Sequence, residues 1–154
     1  MSSLLNELSA IARDAFAAEG LPPEFGFVQV SDRPDLAQFQ CNGALPAAKQ
    51  AKTNPRAVAE KIAARLRSNP LFAKVEIAGP GFINLDVADD VLTRRTATQA
   101  HDAQLGAPQD GKGKTAVIDF GGANVAKPMH VGHLRSSVIG DSLQRLFRAN
   151  GWHV

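Results

Sequence analysis

The chain has 154 residues, 44% of them hydrophobic and 21% charged, with a formal net charge of +2; that length supports one full core or two small ones, and that charge alone implies no polyanion partner. Nowhere do about 18 apolar residues run together, and Asn6 and Glu7 directly follow Leu4 and Leu5, so neither a membrane span nor an export signal is expected. Cys41 is the single cysteine, which rules out an intrachain disulfide and points to a reducing compartment, the cytoplasm.

Leu4, Leu5, Leu8, Ile11, Ala12, Ala15 and Phe16 recur at helical spacing, and Ser2 or Ser3 can cap them, so the first element is a helix ending at Gly20. Leu21-Pro22-Pro23 breaks the chain. Phe25 to Ser31 and Leu36 to Cys41 then read as two strands of a hairpin across Asp32-Arg33-Pro34-Asp35. Helices follow over Ala44 to Ala51 and Arg56 to Arg67, the second with Asn54 as cap, Pro55 at its first position, and Val58, Ile62 and Leu66 on one stripe. Between Lys49 and Lys74 the cations Lys49, Lys52, Arg56, Lys61, Arg65, Arg67 and Lys74 face only Glu60. Such a stretch is either a solvated helix face or a surface for a phosphate backbone. Phe72 to Ala78 and Phe82 to Val87 form a second hairpin across Gly79-Pro80-Gly81, and a helix returns from Asp89 to about Leu105. The order helix, two strands, helices, two strands, helix makes residues 1–105 an α+β domain.

Gly106 to Lys114 is a linker by composition, and residues 115–154 change character. An apolar strand from Ala116 to Phe120 empties into a Gly-rich turn, and a helix runs from about His133 to Ala149, with Leu134, Val138, Leu143, Leu146 and Phe147 inward. Asn150-Gly151 ends that helix, and Trp152-His153-Val154 starts the next strand. Strand, turn and helix make half of a doubly wound βαβ unit, so the chain reads as the N-terminal piece of a longer protein. In the turn, His130 and His133 flank Gly132 where the helix begins. Helix N-termini carry partial positive charge and free amide donors, so imidazole donors beside one suit the phosphates of a nucleotide. Asn124 sits where the strand ends, with an amide able to meet both an ammonium and a carboxylate. Lys127 adds a cation. No metal ligand set is evident.

The run Ala123-Asn124-Val125-Ala126-Lys127-Pro128-Met129-His130-Val131-Gly132-His133-Leu134-Arg135-Ser136-Ser137 resembles the HIGH signature of class I aminoacyl-tRNA synthetases, in the form found in the arginyl-tRNA synthetase family. The family commonly shows a Ser-rich turn where this chain has Gly121 and Gly122. The resemblance implies a Rossmann-type α/β catalytic domain opening at residue 115. There His130, His133 and Gly132 contact ATP, the two histidines and Lys127 assist catalysis, and Asn124 and Asp119 hold L-arginine. It also implies tRNA(Arg) as partner, ATP as substrate and Mg2+ alongside it. A stand-alone tRNA-binding fragment without catalysis is the alternative, and a small adenylyltransferase with its own HxGH turn is disfavoured because it places that turn near its N-terminus.

Along Phe82 to Val87 the side chains alternate, Ile83, Leu85 and Val87 toward a core and Phe82, Asn84 and Asp86 toward the more exposed face. An RNA base can stack on Phe82 and pair with the Asn84 amide. The same resemblance implies that this aromatic-x-Asn pair contacts a base in the D-loop of the tRNA.

Overall fold

The computed structural model describes residues 3–122 and 127–154. They fall into two compact units, divided between residues 98 and 99. In the first, helix α1 (Leu4–Ala18) starts where the Ser3 hydroxyl accepts the Asn6 N–H at 3.2 Å. It buries Leu8, Ala12, Ala15 and Phe16, the positions its spacing selects. Strands β1 (Val28–Val30) and β2 (Phe39–Cys41) are shorter than expected: Pro23–Gly26 forms a 3-10 turn in place of the start of β1, and Leu36 and Ala37 donate their N–H groups to Arg33 O in a turn before β2. Gly26 lies against the α1 backbone, where an added Cβ would come 2.3 Å from the Arg13 nitrogen.

Helices α2 (Ala44–Gln50) and α3 (Pro55–Arg67) follow, α3 capped by the Asn54 side chain, which accepts the Arg56 N–H at 2.8 Å. Strands β3 (Phe72–Ala78) and β4 (Phe82–Val87) have the expected bounds. Gly79 at φ +52° and Gly81 at φ +148° make the intervening turn possible, since both angles exclude most other residues. The four strands form one antiparallel sheet in the order β1-β2-β4-β3. Val28, Cys41, Ile83, Leu85, Val87 and Val75 face the helices and share a core with Phe16, Ile62 and Leu66. Each fully buried large side chain there contributes about 1.5–3 kcal/mol relative to exposure. At the sheet edge, the buried Ser9 hydroxyl of α1 accepts the Val28 N–H at 3.1 Å, occupying a strand donor that would otherwise be free. Helix α4 (Asp89–His101) stops four residues short of the expected Leu105, and Asp102 takes over. Its carboxylate accepts the N–H groups of Gln104 and Gly106, which hold it below the usual carboxylate range.

In the second unit α5 (Val131–Ala149) ends as Asn150-Gly151 predicts: Gly151 has φ +85°, its N–H donates to Arg148 O, and the Trp152 N–H donates to Phe147 O. The Phe147 and Trp152 rings meet edge to face at 5.3 Å. Trp152 also lies on Gly111, where no side chain would fit, and the Gly111 N–H donates to Asn150 O. Two expectations are not met here. Ala116 to Phe120 forms no strand; Thr115 makes one isolated parallel bridge to His153, and Val117 is 92% exposed, because among the described residues no neighbouring strand continues the ladder. The α5 residues expected inward, Leu134, Val138, Leu143 and Leu146, are 42–60% exposed, and Phe147 is half-buried. The physical reason is the same: among its described residues this unit gives the apolar stripe no facing layer, and only Gly140 of α5 is buried.

Candidate nucleotide and RNA sites

Helix α5 begins at His130, which stays extended (φ −131°, ψ 174°) so that its ring can fold back on the first turn. Its Nδ1 accepts the Gly132 N–H at 3.1 Å, and His133 Nδ1 accepts the His130 N–H at 3.2 Å. The ring centroids are 4.1 Å apart, inclined at 53°. A nitrogen that accepts carries no proton, so in this arrangement each ring keeps its hydrogen on Nε2. Among the described residues neither Nε2 has a partner, His130 is exposed and His133 half-buried, so two imidazole donors remain for a ligand. The helix start itself offers fewer free amides than its sequence suggests: the Gly132 N–H goes to His130 Nδ1 and the His133 N–H to His130 O. Donation to an anion falls mainly to the rings. Gly132 is small for a local reason, since a Cβ there would come 2.9 Å from His130 Cε1.

Of the other expected site residues, Asp119 and Lys127 are exposed, and Lys127 has no ion pair among the described residues. Asn124 lies outside the described residues. The chain before the turn is seated by Phe120 on Gly140, where a Cβ would come 2.1 Å from the ring, and Gly121 lies beside Ser137. The Ser137 hydroxyl donates to His133 O at 2.9 Å, which ties that contact to the histidine turn. Replacing Gly140 with Val should therefore unseat Phe120 and lower the stability of this unit by about 1–3 kcal/mol. Urea unfolding followed by the fluorescence of Trp152, the chain's single tryptophan, measures it.

On the sheet, Ile83, Leu85 and Val87 are buried toward the helices, and Phe82, Asn84 and Asp86 lie on the opposite face. Phe82 is half-buried with its ring over Gly79. Asn84 departs from expectation: it is only 7% exposed, because Gln40 of β2 stands directly opposite and its Nε2 donates to Asn84 Oδ1 at 3.0 Å. Asp86 is structural, its carboxylate accepting the Gln38 N–H at 2.8 Å. The basic stretch is largely consumed within the molecule. Arg65 pairs with Glu19, Arg56 with Glu60 and Lys74 with Glu76, while Arg67 Nε donates to Val75 O. Lys49, Lys52 and Lys61 remain without an ion pair among the described residues.

The family model described as Arginyl tRNA synthetase N terminal domain matches residues 2–87. The chain belongs to the arginyl-tRNA synthetase family. A second family model, tRNA synthetases class I (R), catalytic domain, matches residues 96–154, which include the histidine turn. The curated Arginine--tRNA ligase of Maricaulis maris is 57% identical over 98% of this chain and 26% of its own length. That of Hyphomonas neptunium is 56% identical over the whole chain, again 26% of its own length. The chain thus spans about a quarter of the curated arginyl-tRNA synthetase relatives it matches. Two solved structures share the fold: the arginyl-tRNA synthetase of Thermus thermophilus (TM-score 0.68, 20% identity, 99% of this chain and 24% of that one) and that of Plasmodium falciparum (0.67, 21%, 99% and 30%).

Within the arginyl-tRNA synthetase segment, sequence reasoning missed Gln40, Gly140 and Ser9. Alternation assigns a strand residue to a face but not to a lateral neighbour, so only the β2–β4 register reveals Gln40 beside Asn84. A glycine inside an apolar helix was the available signal for Gly140.

Proposed function

We propose that this segment is the N-terminal portion of an arginine–tRNA ligase, with residues 1–105 as its tRNA-binding domain, 106–114 as a linker and 115–154 as the opening of a Rossmann-type catalytic domain. The observation that carries the reading is the paired imidazoles at the start of α5, each spending Nδ1 on the helix cap and keeping Nε2–H for a ligand. The parallel bridge between Thr115 and His153, on either side of α5, suits a βαβ crossover.

In the reaction, a carboxylate oxygen of L-arginine attacks the α-phosphorus of ATP, and the bond to the β-phosphate oxygen breaks to release pyrophosphate. A hydroxyl of the terminal ribose of tRNA(Arg) then attacks the arginyl carbonyl carbon of the adenylate, the ester forms, the anhydride bond breaks and AMP leaves. Negative charge grows on the phosphates in the first step, and fixed donors aimed at it lower the barrier most. His130 and His133 supply those donors, Lys127 a mobile cation, and Gly132 the room for the His130 ring. Asp119 and Asn124 are assigned to L-arginine. Mg2+ is assigned to the phosphates of ATP. The cytoplasm is proposed as the compartment because Cys41 is the chain's single cysteine; its thiol is buried, and desolvation pushes its pKa up. No helix among the described residues is long and apolar enough to cross a membrane.

The open sheet face, with Phe82 and Asn84, is assigned to a base of the tRNA. Replacing Phe82 with Ala removes the stacking platform and should weaken binding of tRNA(Arg) by about tenfold, since stacking of a base on a ring contributes about 1–3 kcal/mol. In a complete ligase, Phe82→Ala and Asn84→Ala should raise the KM for tRNA with ATP and arginine binding unaltered. Charging kinetics indifferent to both would reject this role. Pyrophosphate exchange by the complete ligase separates the enzyme from a fragment that only binds tRNA.

A further inference from the structure

The register aligns Gln29, Gln40, Asn84 and Glu76 in one row across β1, β2, β4 and β3, on the face turned away from the helices. Two members of that row act as a unit. Gln40 Nε2 donates to Asn84 Oδ1 at 3.0 Å, so the Asn84 carboxamide cannot rotate freely, and its oxygen is turned toward β2. Asn84 Nδ2 donates to no atom of the described residues, yet it is not sealed from solvent, for the only buried side-chain polar atom without a partner among those residues is Asn42 Oδ1. Gln40 Oε1 likewise accepts from nothing within the described chain. The outward hydrogen-bonding edge is therefore composite: a donor from Asn84 and an acceptor from Gln40, locked together by the bond between them. Phe82 lies two residues from Asn84 on the same face, and Asn42, with its orphaned acceptor, lies two residues from Gln40.

We infer that Gln40 is a specificity-determining residue for an unpaired RNA base stacked on Phe82, with Gln40 and Asn84 together reading the base edge. The inference rests on the assignment of this sheet face to RNA. A lone Asn amide pairs with a base through its own oxygen and nitrogen. Here Asn84 Oδ1 is turned toward β2 by its bond to Gln40, so the groups left facing a base are Asn84 Nδ2 and Gln40 Oε1, which call for an acceptor and a donor on the base edge. The base edge is thereby selected by the order of its groups. Gln40 also fixes which end of Asn84 faces outward: glutamate at position 40 has no proton to donate, so Asn84 would turn its NH2 toward β2 and present oxygen instead.

The test measures binding of the 154-residue chain to fluorescein-labelled tRNA(Arg) transcripts by anisotropy, with each unpaired D-loop base replaced in turn by the other three. Wild type, Gln40→Met, Gln40→Glu, Asn84→Ala and Phe82→Ala are compared, each with its melting temperature recorded. We expect wild type to prefer one base at one position. Gln40→Met should weaken binding of that transcript by about tenfold and flatten the preference, and Gln40→Glu should change the rank order of bases. If Phe82→Ala and Asn84→Ala weaken binding while both Gln40 variants keep the affinity and base preference of wild type, the inference is overturned and the RNA face stands. A uniform loss on all transcripts in folded Gln40 variants also overturns it, since that is what mere structural support produces. Indifference of all four variants removes the RNA face as well.

Discussion

In a complete ligase carrying this segment, His130→Asn and His133→Asn should each lower the rate of arginine-dependent ATP–pyrophosphate exchange by about 10²–10³-fold, the usual consequence of losing one preorganised donor to a developing anion. The choice of asparagine matters. Its Oδ1 reaches roughly where Nδ1 sits and can accept the Gly132 or His130 N–H, and asparagine is among the best helix caps, so α5 should keep its start. What is lost is the donor at the position of Nε2. Glutamine reverses the exchange: its longer amide restores a donor near that position while weakening the cap. His130→Gln and His133→Gln should recover part of the rate lost in the Asn variants, at some cost in helix stability. If the histidines served only as caps, the order would invert, with Asn variants active and Gln variants impaired. Exchange rates together with far-UV circular dichroism separate these cases.

Phe16→Ala should destabilise the N-terminal unit by about 3–5 kcal/mol, the range for removing a fully buried ring from a core that relaxes only partly. Phe16 is inaccessible to solvent and its ring lies 6.4 Å from that of Phe25 in the 3-10 turn. A domain of this size is stable by only about 5–15 kcal/mol, so the loss is a large fraction of the total. Urea unfolding of the chain followed by circular dichroism measures it. Phe82→Ala is the control: its ring is half-buried on the open face, and the variant should unfold much closer to wild type while losing RNA binding. A Phe82 variant as unstable as Phe16→Ala would show that Phe82 belongs to the core.

Much of this architecture was readable from local chemistry. Helical spacing selected Leu8, Ala12 and Phe16 in α1, Asn54-Pro55 marked the start of α3, and Gly79-Pro80-Gly81 set the β3–β4 turn. Alternation placed Ile83, Leu85 and Val87 inside. Where the reading departed from the structure, the missing information was non-local. The 3-10 turn at Pro23–Gly26 depends on how closely Gly26 approaches α1, which no strand propensity encodes. Ala116 to Phe120 and the apolar face of α5 have the right composition for strand and core, but an element takes that state only when a neighbour covers it, and among the described residues of the unit 99–154 the cover is one bridge and the Phe120–Gly140 contact. At the candidate nucleotide site the motif identified the histidines, while the division of labour within each ring, Nδ1 to the cap and Nε2 to solvent, emerged only from coordinates.

The most direct test of the central claim is long-range nitrogen–proton NMR of the complete ligase with ¹⁵N-labelled histidine, before and after addition of Mg–ATP. Nδ1 of His130 and His133 should be of the acceptor type with hydrogen on Nε2, and ATP should shift the Nε2 resonances of both. Rings protonated on Nδ1, or Nε2 signals unmoved by saturating ATP, would contradict it.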